Sequence, residues 1–266
     1  MLGAVLAGMS KPPQGFEAPD TTIFDYTKTC LIGSGHYCVT KVTFWMLMSV
    51  VIIAVLFLLA FRNAKIVPQG LQNAMEALVE FIRNGIVMEV MGPEGLGFLP
   101  FLTSIFVFIL VNNFFGIIPG IQFPTTSRIA IPMFLAILVW FMFNIVGVMK
   151  QGGLHYLRNT LLPPGVPKGI YFLYTPIEFV STFLVRPLTL AVRLAANMIA
   201  GHLMLTIFFL ATWYLQWKLI TIPVAAASFA LGTFITAFEI LVAVLQAYIF
   251  TILTAVYIGG AIHPDH

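Results

Sequence analysis

Charge is what this sequence lacks. Lysine and arginine number 13 and aspartate and glutamate 10 in 266 residues, 9% of the chain, against 60% apolar residues and a mean hydropathy of +0.99. That is too little polar surface to coat a soluble domain of this length, so the class is a polytopic membrane protein. The formal charge of +3 is small and dispersed, which excludes a basic stripe for nucleic acid and an acidic tail. A GxxxxGK[ST] phosphate loop is also missing, so this chain is not expected to bind nucleotide itself, and no cofactor is expected. There is no internal repeat and no inverted pair of broken helices, which counts against a typical secondary transporter. Cysteine is limited to Cys30 and Cys38, eight apart in a polar stretch, leaving a disulfide or two free thiols equally open. The opening MLGAVLAGMS has no basic region and too short an apolar core for a secretory signal, so it is expected to be retained.

What is present is apolar sequence in runs long enough to span a bilayer, about 20 residues each. Residues 1–42 form an extramembrane tail and 43–266 a single membrane-embedded helical domain. The first span is Phe44 to Phe61, closed by Arg62 and Lys65, which mark its cytoplasmic end. Leu71 to Val90 follows, with Leu71, Met75, Leu78, Val79, Ile82, Ile86 and Val90 at helical spacing and Glu76, Glu80 and Arg83 opposite. This predicts an amphipathic helix lying on the membrane. Spans two and three, Phe98 to Ile118 and Ile131 to Met149, make a hairpin across the turn PGIQFPTTSR. A polar loop with Lys150, Arg158, Pro163, Pro164, Pro167 and Lys168 leads to two long segments, about Tyr174 to Trp217 and Pro223 to Ile262. The first would be roughly 60 Å long if unbroken, twice the hydrocarbon thickness, so it must tilt, kink at Pro187, or both. The expected fold is all-α: five membrane-crossing helices plus one interfacial amphipathic helix, the last two long, tilted and antiparallel. The short loops place the N-terminus outside and the C-terminus in the cytoplasm.

The costliest residue is Arg193, far from either end of an apolar run. An arginine at mid-bilayer costs about 2.5–3.5 kcal/mol on insertion scales, and it cannot shed its proton to escape. In an antiparallel pair, residues at equal depth have nearly constant index sums. Arg193 and Gln246 sum to 439, and His202 and Glu239 to 441, so two polar pairs fall at two levels about 10–14 Å apart. Glu239 and Gln246, seven residues apart, share a face, and Asn197, one turn from Arg193, joins that of the arginine. Titratable groups in the outer half above a permanent cation suggest a proton path that stops at Arg193. No unpaired carboxylate in this chain lies level with Arg193, so its partner is expected on another subunit. Glu178 and Arg186 sit near the inner end, where Glu178 is a candidate for an exit path.

RPLTLAVRLAANMIAGH, residues 186–202, and LQAYIFTILTAVYI, residues 245–258, together resemble subunit a (subunit 6) of the F-type proton-translocating ATP synthase. Weaker likeness runs through LVNNFFGIIPG and the amphipathic helix, covering most of the chain after residue 44. The resemblance implies a non-catalytic stator subunit that forms two half-channels against a ring of c subunits and couples proton flow to ring rotation. It also implies peripheral-stalk b-type subunits as partners and a bacterial plasma membrane location. Arg193 would be the arginine facing the c-ring carboxylate, Asn197 and Gln246 would line its site, and His202 with Glu239 would form the inlet. Two positions depart from the family pattern. Many members carry the acid on the helix of the arginine and the histidine on the last helix, whereas His202 and Glu239 are exchanged here. Where many carry an acid before the LLP-like turn, this chain has Gly116, with Asn112 and Asn113 the nearest polar side chains. Protons rather than sodium ions are expected, because His202 and Glu239 titrate. The alternative is a stand-alone proton-coupled transporter or ion channel, which would need a substrate site within the chain.

Overall fold

The computed structural model describes residues 30–32, 39–118, 125–161, 171–217 and 219–262. Residues 1–29 of the tail, Cys38 and the prolines at 163, 164 and 167 lie outside the described residues, so the tail and the cysteine pairing are not addressed by it. Two short strands, β1 (Cys30–Ile32) and β2 (Val39–Thr40), pair antiparallel and lead straight into α1 (Lys41–Phe61). Everything else described is helical or turn.

Among the described residues five helices are long and apolar enough to cross a membrane, as the apolar runs predict: Val42–Phe61, Pro93–Ile117, Ala130–Gln151, Tyr171–Leu215 and Ile222–Ile262. We number the last four α3, α4, α6 and α7. Between α1 and α3 lies α2, residues 71–90, built as Leu71–Ile82, a π turn at Arg83–Val87 and Met88–Val90. Its apolar stripe turns into the protein: Ile82, Ile86 and Val87 are fully buried, while Leu71 and Phe81 stay exposed. The π turn rotates the second half of the stripe so that Ile86 and Val87 join the same core as Ile82. Gln72 fastens the preceding loop by gripping both backbone polar groups of Lys65, at 3.0 and 2.9 Å.

The stretch 150–168, read from sequence as a polar loop, instead holds a helix, α5 (Gly153–Leu161). Its anchor is Tyr156, whose ring rests on the bare Cα of Gly147 in α4 and whose hydroxyl donates to Asn144 Oδ1 at 3.2 Å. Burial raises the pKa of that hydroxyl above its ordinary value, so it remains a donor throughout the physiological range. The tyrosine is one residue in nine, which is why the prolines and cations around it dominated the sequence pattern.

At 1.5 Å per residue α6 and α7 are each about 60 Å or longer, about twice the hydrocarbon thickness. They lie antiparallel against each other, with α3 and α4 behind them, while α1 packs mainly on α3 at the periphery. The core is shared by Leu102 and Ile109 of α3, Val139 of α4, Leu190 and Leu194 of α6, and Phe250 and Ile258 of α7. Before Pro187, where the length of the segment calls for a tilt, a kink or both, α6 holds a π turn at Ser181–Val185, and the helix continues through Pro176 as well. Proline has no N–H to return to the carbonyl four residues back. Relaxing the preceding turn relieves that position without ending the helix.

Candidate functional site

The α6–α7 seam carries the site, and its register agrees with the sequence arithmetic. The Cα of Gly201 faces the Glu239 carboxylate, and Phe208 faces Gly232, both pairs summing to 440. Ser228 adds a hydrogen bond to the Phe208 carbonyl at 2.9 Å. Small residues alternate across the seam, so each helix offers a gap to the other's bulk: Gly201 to Glu239, and Gly232 to Phe208 and Phe209.

One level inward, Asn197 Nδ2 donates to Gln246 Oε1 at 2.6 Å. This pair sums to 443, one turn outward of the predicted Arg193–Gln246 match. The cause is the tilt of each Cα–Cβ bond toward the start of its own helix. In an antiparallel pair the Gln246 side chain leans outward and that of Asn197 inward, so they meet between their backbone levels. Glu239 and Gln246 share a face as expected and are 7% and 3% exposed. Glu239 Oε2 and Gln246 Nε2 are buried and have no hydrogen-bond partner among the described residues.

Glu239, Gln246 and Asn197 converge on one cavity of about 10 Å³, close to the smallest that holds one water molecule. Asn113 from α3 completes its polar wall; in the sequence it stands out only as a polar neighbour of Gly116, where the family pattern has an acid. Asn113 is held there at both ends, donating to the Ala243 carbonyl at 3.2 Å and accepting from Thr126 at 3.3 Å. Its neighbour Asn112 is equally occupied, donating to Ser49 of α1 and accepting from Thr125. The signal in the sequence was two adjacent amides inside an apolar span.

Arg193 does not line this cavity. It is exposed on the flank of α6, the face it shares with Thr189, Ala196, Asn197 and Ala200. Among the described residues it has no ion pair and no hydrogen bond. His202 is half-buried, next to Gly201 on α6, and is not among the residues lining the cavity.

Toward the other end, Glu178 is paired with Arg186 at 3.1 Å and accepts from Thr182 at 3.0 Å. Residues eight apart on an α-helix stand about 80° apart round the axis, too far to pair well. The π turn between them absorbs one residue, leaving the two on nearly one face. The Arg186 guanidinium also lies 5.5 Å from the centre of the Tyr257 ring of α7.

The sequence that builds this seam of two long antiparallel helices matches a known family along most of its length. Residues 43–259 match the sequence model of the ATP synthase A chain. The chain belongs to the ATP synthase A chain family. Among its relatives, ATP synthase subunit a of Frankia alni is 43% identical over 257 residues, covering 95% of this chain and 89% of that protein. The Rhodococcus erythropolis subunit a is 40% identical over 257 residues, covering 94% and 92%. The Hyphomonas neptunium subunit a is 43% identical over 245 residues, covering 91% and 95%. Membership of the A chain family sets aside the alternative of a stand-alone transporter or channel.

Proposed function

We propose that this chain is the proton-channel subunit of the membrane sector of an F-type ATP synthase, a stator that adds no catalysis of its own. The observation that carries the reading is Arg193: a permanent cation in an apolar helix, exposed and without a partner among the described residues. Such a charge needs an anionic partner, and a carboxylate carried by a ring of c subunits passing the α6 flank supplies it. An opposite charge a few ångströms away lowers a carboxyl pKa by about 1–3 units. A protonated ring carboxyl arriving at Arg193 therefore gives up its proton and cannot carry it past.

The two sides of that barrier are the two half-channels. On the outer side Glu239 and His202 receive protons, and the amides of Asn197, Gln246 and Asn113 lead from Glu239 toward the ring face. On the inner side Glu178, paired with Arg186 and partly exposed, takes the proton onward. We read that inner side as cytoplasmic and the N-terminus as outside, in a bacterial plasma membrane, an orientation supported by the cations Arg62, Lys65, Lys150 and Arg158. We read residues 1–42 as an extramembrane tail and 43–266 as one membrane domain, with b-type peripheral-stalk subunits holding it against rotation.

Purification under mild detergent tests the assignment. A tag on this chain should bring down the complete ATP synthase, with ATPase activity and c subunits. Isolation of a monomer that conducts protons by itself would contradict it.

A further inference from the structure

We propose that Gly201 is a positioning residue for proton transfer at Glu239, its bare Cα forming the seat that aims the carboxylate. This rests on Glu239 being a proton-transfer group. A Cβ at Gly201 would stand 2.7 Å from Glu239 Oε1, 3.2 Å from Cδ and 3.5 Å from Cγ, and these are the three nearest atoms it would meet. The space left by the missing side chain is therefore filled by one group, the carboxylate. Glycine in the middle of a helix is worse than alanine for the helix itself, so helix stability does not account for its presence at this position.

The seat sets two things at once. It lets α7 bring a buried carboxyl up to the backbone of α6, and it holds Oε1 there, so that one oxygen is fixed against α6 while the other has no partner among the described residues. One turn inward on the same face stands Asn197, already donating to Gln246 across the seam. The carboxylate is thus lodged one turn from the amide pair that borders the same cavity. A methyl at position 201 would push the end of a flexible side chain out of that line while leaving the backbone packing in place. The effect belongs in proton flux rather than in folding.

The experiment uses the assembled complex in inverted membrane vesicles, reading proton flux by quenching of a pH-sensitive dye. Gly201→Ala should assemble normally and lower flux by up to about a hundredfold, as misplacing a reacting group by about 1 Å can do elsewhere. Glu239→Asp, with a carboxylate one methylene shorter, should remove the clash. The double variant Gly201→Ala with Glu239→Asp should therefore conduct as well as Glu239→Asp alone. Wild-type flux in Gly201→Ala, or a double variant whose loss is the product of the two single losses, overturns the inference. Should Gly201→Ala fail to assemble, assembly regained with Glu239→Asp supports the same steric contact, and assembly not regained overturns it. Glu239→Gln separates the two readings. A block there with normal flux in Gly201→Ala overturns the seat alone, whereas normal flux in Glu239→Gln removes the proton-transfer role beneath it.

Discussion

His202 and Glu239 stand at adjacent positions across the seam, with Glu239 seated on Gly201 and His202 the next residue along α6. If they pass protons as one unit, His202→Ala and Glu239→Ala should each slow flux, and the double change should cost less than the two losses combined. Exchanging them, His202→Glu with Glu239→His, should restore part of the flux, measured in the same vesicles. Fully additive losses with no recovery would show two independent groups. The Asn197–Gln246 hydrogen bond is open to the same treatment. Bonds of this kind between membrane helices average about 0.6 kcal/mol, so a coupling well above that between Asn197→Ala and Gln246→Ala in flux would mark a functional pair rather than interhelical glue. Single residues were the most legible part of the sequence where they broke an apolar run: Arg193, His202, Glu239 and Gln246 announce themselves by cost. Gly201 and Asn113 did not, because a glycine costs nothing in lipid, and an asparagine is informative only once its partners on other elements, Thr126 and Ala243, are known.

At the scale of elements, the α6–α7 register is the strongest expectation and the most easily checked. A Cβ placed on Gly232 stands 3.4 Å from the Cβ of Phe208, close to the spacing of about 3.5–4.5 Å found in disulfides. Cysteines replacing Phe208 and Gly232 should therefore crosslink under mild oxidation in native membranes, seen as a mobility shift on non-reducing gels. The same test with Phe208→Cys and Thr236→Cys, displaced by one turn, should give little product. A preference for the displaced pair would move the register and with it the level of Glu239. Helices and their order could be read from hydropathy because length and apolarity decide what spans a bilayer. The π turns at Arg83–Val87 and Ser181–Val185 could not, since a one-residue offset in a stripe is absorbed by any template that tolerates spacings of three and four. The helix α5 was hidden for a different reason. It is held by Tyr156 against Gly147 of α4, a tertiary contact that overrides a polar, proline-flanked local pattern.

For the whole molecule, the division of labour follows from what faces where. The core joins α2, α3, α4, α6 and α7 into one body, so the α6 flank that carries Arg193 is backed by packed helices. On that flank, small side chains such as Ala196 and Ala200 surround the arginine, leaving room for a neighbouring helix to approach it closely. Glu239, Gln246, Asn197 and Asn113 line the cavity at the seam. The central claim is that Arg193 separates two proton paths by charge alone. Its most direct measurement compares Arg193→Ala and Arg193→Lys with the unaltered chain in inverted vesicles, recording ATP synthesis and ATP-driven proton pumping together with the amount of assembled complex. Assembly should be near normal, and synthesis and pumping should be lost in both variants, lysine failing because a desolvated ammonium can release its proton and lacks the planar fork of the guanidinium. Near-normal synthesis in Arg193→Ala would contradict the claim.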